Sequence, residues 1–304
     1  AENLPSSLNC TYLVNSGCEA IEGAMKLAKR VTRKTEFFSC KNSYHGSSQG
    51  ALSLMGTEVY KTNYRPLLPN CHRIEFNSEK CLQKITKKTA AVVVEPVQGA
   101  TGFVTPKNNW LQKLRLRCNK VGAILIFDEI QTCYGRTGKL FALETYGVTP
   151  DILCIAKGMG GGMPIGAFIS SKENMDTLKN NPKLGHITTF GGHPISCAAA
   201  LSTLQTLLHN SSIINSIPAK EKLFRKGLEH SIVKEIRGIG LMLAIELGDI
   251  EKCRNFVELA YKKGLITFFF LFTRTAVRLT PPLIITEEEI QFACKKIQEV
   301  LNEL

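Results

Sequence analysis

Residues 123–131 read Ala-Ile-Leu-Ile-Phe-Asp-Glu-Ile-Gln, an apolar run that ends in two carboxylates. A strand that is buried on both faces has this composition, and parallel sheets covered by helices contain such strands. Similar apolar runs occur at residues 90–95 and 151–156. Residues 109–120, which lie between the run at 90–95 and the run that begins at 123, have the apolar spacing of a helix. Strands that alternate with helices predict an α/β fold, with a mostly parallel sheet and helices on both of its faces.

The pattern continues toward both ends of the chain but changes its character around residues 210–218. Before this point we predict further strands at residues 11–14, 36–39 and 165–169 and a further helix at residues 19–33. After it we predict helices at residues 219–232, 250–263 and 287–301 and strands at residues 241–247 and 265–272. The sequence therefore predicts a large domain over residues 1–212 and a small C-terminal α+β domain over residues 213–304.

The chain has 304 residues and a formal net charge of +12, with 44% hydrophobic and 21% charged residues. This composition is ordinary for a globular protein. The lysines are scattered rather than interleaved with aromatic residues, and no nucleic-acid-binding motif occurs, so we expect a solvated basic surface and no nucleic-acid partner. The apolar run Phe268–Phe272 is too short to cross a bilayer. We interpret it as a buried strand and expect no membrane association.

The eleven cysteines include no Cys-x-x-Cys pair, and several lie inside apolar runs. Cysteines of this kind usually pack as small buried thiols in a reducing compartment, which predicts a cytoplasmic protein. The six histidines are dispersed, with no pair at ligand spacing, so we expect no metal site. The chain opens with Ala1 rather than an initiator methionine, and we expect that the native N-terminal segment is missing.

Three strand–helix junctions carry residues that suit binding and chemistry. Ser16-Gly17-Cys18 precedes a predicted helix whose free N–H groups could bind a phosphate, although Ser16 could also be a plain helix cap. Asp128 ends a buried strand, where it could bind a metal, act as a base or pair with a cation. Lys157 follows a strand and precedes a glycine run. A partly desolvated lysine there could form a Schiff base with a carbonyl, or it could simply extend into solvent before a flexible loop.

Together these junctions offer what pyridoxal 5'-phosphate (PLP) needs: a lysine for its aldehyde, a phosphate site and a carboxylate for its pyridine nitrogen. Asp128-Glu129-Ile130-Gln131, Gly135-Arg136-Thr137-Gly138 and the stretch Lys157–Ala167 resemble the signature of the class III aminotransferases. This family includes ornithine, acetylornithine and 4-aminobutyrate aminotransferases. The resemblance runs from Leu13 to near Ile290. It implies the large domain of a fold type I PLP-transferase, a small C-terminal domain and PLP as the cofactor.

The resemblance also assigns roles to individual residues. Lys157 would hold PLP as a Schiff base and move a proton, and Asp128 would pair with the pyridine nitrogen. The other cofactor-binding residues would be Ser16, Gly17, Cys18, Tyr44, His45, Ile130, Gln131 and Thr189. Thr189 would reach the phosphate of a partner subunit, which implies a homodimer. Arg278 and Glu95 would bind the substrate, with the Arg278 guanidinium on a carboxylate. Plain structural roles stay open for Tyr44, as a core aromatic, and for Arg278, as a surface arginine.

Ala100 stands where ornithine and acetylornithine enzymes usually carry a glutamate, so the exact donor stays open. The resemblance implies a ping-pong transfer of an amino group from an amino acid or ω-amino compound, similar to ornithine or acetylornithine, to a 2-oxo acid such as 2-oxoglutarate. Two alternatives remain. One is an aminomutase-type PLP reaction on the same fold, and the other is a truncated, non-catalytic homologue that acts as a binding or dimerisation partner.

Overall fold

The structure is a computed structural model that describes residues 2–304. Its residues group into two compact units, each assembled from separate parts of the chain. The first unit contains the chain up to Pro96, Pro106–Tyr134 and Ala142–Thr206, and the second contains Val97–Thr105, Gly135–Phe141 and Leu207–Leu304. Two short internal segments of residues 1–212, together with residues 207–212, therefore belong to the second unit. The division into domains over residues 1–212 and 213–304 stays a prediction.

A seven-stranded sheet lies at the centre of the first unit. Its strands are β1 (Cys10–Val14), β2 (Glu36–Cys40), β3 (Cys71–Ile74), β4 (Thr89–Val94), β5 (Ile124–Asp128), β6 (Ile152–Ile155) and β7 (Gly166–Ser170). They lie in the order β1-β7-β6-β5-β4-β2-β3. β7 is antiparallel to both of its neighbours, and all other neighbours are parallel, so every strand except β7 runs in one direction. The predicted α/β fold with a mostly parallel sheet is confirmed.

Helices accompany this sheet along the chain. They are α1 (Gly17–Thr32), α2 (Gln49–Leu54), α3 (Glu79–Leu82), α4 (Trp110–Val121), α5 (Ala142–Tyr146), α6 (Lys172–Asp176) and α7 (Pro194–His209). The last three residues of α7 fall in the second unit. Helix α1 forms because Ser16 caps it, accepting a hydrogen bond from the Glu19 N–H at 3.2 Å, and because its apolar residues recur on one face. That face is buried in the same core cluster as Phe168 of β7 and Ile126 of β5.

The second unit contains a four-stranded antiparallel sheet and four helices. The strands are β8 (Glu235–Ile239), β9 (Met242–Glu246), β10 (Phe268–Phe269) and β11 (Ala276–Leu279), in the order β10-β11-β9-β8. The helices are α8 (Ser211–Asn215), α9 (Ile217–Gly227), α10 (Ile250–Lys262) and α11 (Glu287–Asn302). A separate core of buried apolar residues joins Phe224, Leu243, Phe256 and Ile297. This is the α+β character that the sequence predicts for the C-terminal part.

The interpretation of residues 265–272 as a buried strand is correct only in part. Only Phe268 and Phe269 pair in the sheet, opposite Arg278 and Val277. Ile266 is 89% exposed and Phe268 is 67% exposed, whereas Phe270 is buried at 3%, so only part of the segment enters a core. Apolar composition alone cannot distinguish a buried strand from an exposed segment. No helix within residues 2–304 is both long enough and apolar enough to cross a bilayer.

Candidate functional site

The carboxyl edge of the first unit's sheet brings three of the predicted junctions together. β1 and β6 run in the same direction because both are antiparallel to β7, and β5 is parallel to β6. Ser16 follows β1, Asp128 ends β5 and Lys157 follows β6. In open α/β sheets ligands bind outside this edge.

Asp128 is held by hydrogen bonds on both of its carboxylate oxygens. Its Oδ2 lies 2.7 Å from Nδ1 of His45, and its Oδ1 accepts a hydrogen bond from the Ile130 N–H at 3.1 Å. A carboxylate only accepts hydrogen bonds, so Nδ1 of His45 carries the proton in this pair. Asp128 is 4% exposed and His45 is 2% exposed. The pair therefore fixes a buried carboxylate at the end of β5.

The N-terminus of α1 combines a helix cap with tight packing. The cap by Ser16 is the plain structural role considered above. The N–H groups of Gly17 and Cys18 have no acceptor within residues 2–304, so they stay available to an anion. A Cβ atom on Gly17 would lie 2.7 Å from Cδ1 of Ile130. A side chain at position 17 would therefore require Ile130 or the turn to shift.

The Cys18 side chain connects α1 to the turn that carries Tyr44 and His45. Its Sγ accepts a hydrogen bond from the Ser47 N–H at 3.1 Å. Gly46 has a φ of +131°, and a Cβ there would lie 2.2 Å from this sulfur. The turn can therefore approach Cys18 only because residue 46 is glycine. The hydroxyl groups of Tyr44 and Ser47 are 3.0 Å apart, and the Tyr44 ring is half-buried.

Lys157 is the first residue of a short 3₁₀ helix, Lys157–Gly160, and it has a φ of +46°. A non-glycine residue in this left-handed region is strained, and such strain concentrates at functional sites. Its side chain is exposed and makes no hydrogen bond or ion pair within the described part of the chain. The glycine run behind it packs closely, because a Cβ on Gly161 would lie 2.3 Å from the Thr203 hydroxyl. The lysine is thus an unpaired amine on a constrained turn.

Gln131, Thr189 and Glu95 also belong to the first unit. Gln131 is half-buried in the turn after β5, and Glu95 directly follows β4 and is 8% exposed. Thr189 is exposed, and its neighbour Thr188 accepts a hydrogen bond from the Asn15 side chain at 2.8 Å. The segment before α7 therefore lies beside the end of β1. The roles of these residues stay predictions.

Arg278 lies on β11 of the second unit, with its guanidinium between two aromatic rings. Its Cζ is 5.6 Å from the ring centre of Phe103 and 5.0 Å from that of Phe270. The two rings themselves meet edge to face. Burial lowers the pKa of Arg278 from its ordinary value, yet guanidinium groups stay charged in proteins. Among the described residues no carboxylate pairs with it, so the cation is held by rings and left open to an anion.

Glu129 has a structural role that the sequence does not predict. Its carboxylate is fully buried and accepts hydrogen bonds from the Ala142 and Leu143 N–H groups and from the Thr132 hydroxyl. These contacts reach residues up to fourteen positions along the chain. No local sequence pattern could have predicted them. Its place beside Asp128 in the sequence was the one available signal.

Comparisons with known proteins agree with this geometry. The family described as Aminotransferase class-III matches residues 1–301. A putrescine aminotransferase of Pectobacterium atrosepticum is 38% identical, with 99% of this chain and 67% of that protein covered. An acetylornithine aminotransferase of Methanopyrus kandleri is 36% identical, with 99% of this chain and 77% of that protein covered.

Solved structures give the same result. An ornithine aminotransferase of Toxoplasma gondii, whose active site is described as partially occupied by PLP, superposes with a TM-score of 0.91 at 30% identity. That match covers 98% of this chain and 73% of the other. An adenosylmethionine-8-amino-7-oxononanoate aminotransferase of Methanocaldococcus jannaschii superposes with a TM-score of 0.89 at 30% identity, covering 99% and 77%.

Proposed function

Because the chain belongs to the class III aminotransferases, which are PLP-dependent enzymes, we propose that it transfers the amino group of an acetylornithine-like or ornithine-like amino acid to a 2-oxo acid such as 2-oxoglutarate. Lys157 and Asp128 are its catalytic residues in this proposal. The carboxyl edge of the sheet carries the proposal, because Lys157, the Asp128–His45 pair and the N-terminus of α1 all lie there.

The residues at this edge fit PLP by their chemistry. Lys157 is an unpaired amine on a constrained turn, suited to an aldehyde. The N–H groups of Gly17 and Cys18, at the positive end of a helix dipole, suit a phosphate. Asp128, with both oxygens held, suits a protonated ring nitrogen. Tyr44, Ile130, Gln131 and Thr189 complete the cofactor site in our proposal.

When bound, PLP supplies an electron sink for the substrate carbon that carries the amine. The chain's own residues do the rest. Asp128 holds the proton on the ring nitrogen, and His45 keeps the Asp128 carboxylate in one orientation. The amine of Lys157 acts as a general base when it removes the proton from the substrate carbon. It then acts as a general acid and delivers the proton to carbon C4′ of the cofactor. In the ping-pong cycle the donor gives up its amino group and leaves as the corresponding carbonyl product before the 2-oxo acid enters.

Arg278 supports a donor that carries a carboxylate. A partly buried guanidinium without an anionic partner loses hydration, and a substrate carboxylate can compensate for this with paired hydrogen bonds. Ala100, which lies in the same unit, brings no charge of its own. A diamine such as putrescine, named for one relative, offers no carboxylate. We therefore favour an amino-acid donor, with Arg278 and Glu95 as the substrate-binding residues.

We also propose a homodimer in the cytoplasm. The segment before α7 and the start of α7 expose Ile187, Phe190, Ile195 and Leu201, each by 55% or more of its surface. Apolar side chains grouped in this way usually mark an interface, and a second copy of the chain fits the role that the family resemblance gives Thr189. A purified chain that sediments only as a monomer would contradict this proposal. The eleven unpaired cysteines support a reducing compartment.

The deciding experiment is an absorbance titration of the purified chain with PLP, compared with Lys157→Ala. We expect a visible band from lysine-bound cofactor in the wild type and none in the variant. Adding N-acetylornithine should then bleach the band, and 2-oxoglutarate should restore it. No band in the wild type would favour the non-catalytic alternative. Product formed from a single substrate without any 2-oxo acid would favour the aminomutase alternative.

A further inference from the structure

The carboxylate of Glu129 joins two distant points of the chain at the edge of the cofactor site. Its Oε2 accepts a hydrogen bond from the Ala142 N–H at 2.6 Å and from the Thr132 hydroxyl at 3.1 Å, and its Oε1 accepts one from the Leu143 N–H at 2.7 Å. The side chain is 0% exposed. Glu129 therefore ties the turn after β5 to the first residues of α5.

The main chain of Glu129 adds two further connections. Its N–H donates to the carbonyl of Cys154 at 2.9 Å, near the end of the strand that leads to Lys157. Its carbonyl accepts a hydrogen bond from the Cys133 N–H at 3.0 Å. The turn over residues 129–133, which presents Ile130 and Gln131, is thus closed by one residue. The same residue links this turn to the strand before Lys157.

A plain helix cap would not require a buried charge here. No lysine or arginine of residues 2–304 pairs with Glu129, and the ionisable groups that act on it or lie next to it are Glu144, Cys133 and Asp128. Burial raises the pKa of Glu129 to about 7, against the opposing effect of its three hydrogen bonds. A buried carboxylate without a cationic partner costs stability even when it accepts hydrogen bonds, and natural proteins keep such costs mainly at functional sites.

We propose that Glu129 is a positioning residue of the cofactor site, whose carboxylate fixes the turn that presents Asp128, Ile130 and Gln131. This inference rests on the proposed function, because it concerns how the chain holds PLP. Glu129 does not touch the reacting atoms. It acts through its hydrogen bonds with Thr132 and with the start of α5, which restrain the turn.

The test uses the full chain with Glu129→Gln and the control Asp151→Asn. An amide at position 129 would turn an NH₂ group toward an N–H donor, so at least one of the three hydrogen bonds is lost. Asp151 is a suitable control because its carboxylate also accepts a backbone hydrogen bond, from Leu125 N–H at 2.7 Å, but at the amino end of β5. Both variants should lose stability, and only one lies near the cofactor site.

Two readouts separate positioning from plain stabilisation. We expect Glu129→Gln to weaken PLP binding at least about tenfold, from the loss of one buried hydrogen bond, while Asp151→Asn stays within about twofold of the wild type. In the PLP-free chain, hydrogen exchange at the Ala142 and Leu143 amides and across residues 130–133 should accelerate only in Glu129→Gln. Equal PLP affinity in the two variants at matched stability would overturn the proposal.

The same data distinguish a failure of the proposed function. If the wild type binds no PLP at all, the proposed function fails, and so does the link between Glu129 and the cofactor. The exchange data would then still show whether Glu129 holds the turn. If the wild type binds PLP and Glu129→Gln binds it equally well, the proposed function stands and only the positioning role is wrong.

Discussion

Nδ1 of His45 lies 2.7 Å from Oδ2 of Asp128, and both side chains are buried at the carboxyl edge of the sheet. Since Oδ1 is held by the Ile130 N–H, neither oxygen of this carboxylate can rotate freely. The pair therefore orients a charge before any ligand arrives, and pre-oriented charges contribute most to electrostatic catalysis.

Replacing His45 with alanine should leave Asp128 Oδ2 without its donor. We expect the free energy of unfolding to fall by about 1–3 kcal/mol, the usual cost of an unsatisfied buried polar group, with weaker PLP binding. Urea unfolding and a PLP titration measure both effects. His45→Asn is the matched control, because its side-chain NH₂ can donate from nearly the same place. Equal losses in the two variants would show that the hydrogen bond does not matter.

Replacing Gly17 with alanine should displace Ile130, because the new Cβ would meet Cδ1 of Ile130 at 2.7 Å. The first turn of α1 or Ile130 must then shift, and we expect PLP binding to weaken about tenfold or more. The double variant Gly17→Ala with Ile130→Val removes the clashing methyl group and should recover part of the affinity. A double variant no better than Gly17→Ala would argue against this contact as the cause.

Glu129 makes stability depend on pH in a direction opposite to that of most carboxylates. Its pKa rises from an ordinary 4.5 to about 7 in the folded chain, so between these values the folded state keeps a proton that the unfolded state loses. The contribution of this proton to the free energy of unfolding is fully present below about pH 4.5 and is lost as the pH rises through 7. The loss is at most on the order of 3 kcal/mol.

Urea unfolding of the PLP-free chain at pH 5 and pH 8 tests this pH dependence. We expect the wild type to lose more free energy of unfolding over this range than Glu129→Gln, whose side chain is neutral throughout. Other groups titrate identically in both proteins, so the difference isolates Glu129. Parallel pH profiles would mean that Glu129 is ionised in the folded chain well below neutral pH.

Replacing Arg278 with alanine should weaken the binding of every substrate that carries a carboxylate. We expect KM for 2-oxoglutarate and for N-acetylornithine to rise at least about tenfold, because a charge-assisted, two-point contact is lost. The half-reaction with a diamine should change little. Arg274→Ala, an exposed arginine of the same unit, is the control. If the diamine reaction suffers equally, Arg278 supports the fold rather than the carboxylate.

The bounds of the central strands could be predicted closely, because short apolar runs of this kind are typical of strands that are buried on both faces. The run at residues 123–128 is almost the observed β5, and that at residues 90–95 almost the observed β4. Strand β3 escaped prediction because Cys71-His72-Arg73-Ile74 has neither an apolar run nor a clear alternation. The strand predicted over residues 265–272 is too long because phenylalanines favour strands, whereas only Phe268 and Phe269 pair in the sheet and Phe268 is exposed.

Some features of the candidate site could be predicted from the sequence, and others could not. Ser16, Asp128 and Lys157 could be predicted to converge, since the ends of parallel strands share an edge. The His45–Asp128 and Glu129–Ala142 hydrogen bonds could not, because they join residues from separate elements and depend on side-chain orientation. The contacts of Arg278 with the rings of Phe103 and Phe270 could not be predicted from the sequence for the same reason.

The second unit takes Val97–Thr105 and Gly135–Phe141 from the middle of the chain and the rest from Leu207–Leu304. During synthesis the two middle segments leave the ribosome well before the C-terminal strands and helices exist. Arg136 then lacks the Leu241 and Pro281 carbonyls to which it donates, and Phe103 lacks Phe270. The second unit can therefore assemble only after residues 207–304 have been synthesised. Until then its early segments are exposed to chaperones and proteases.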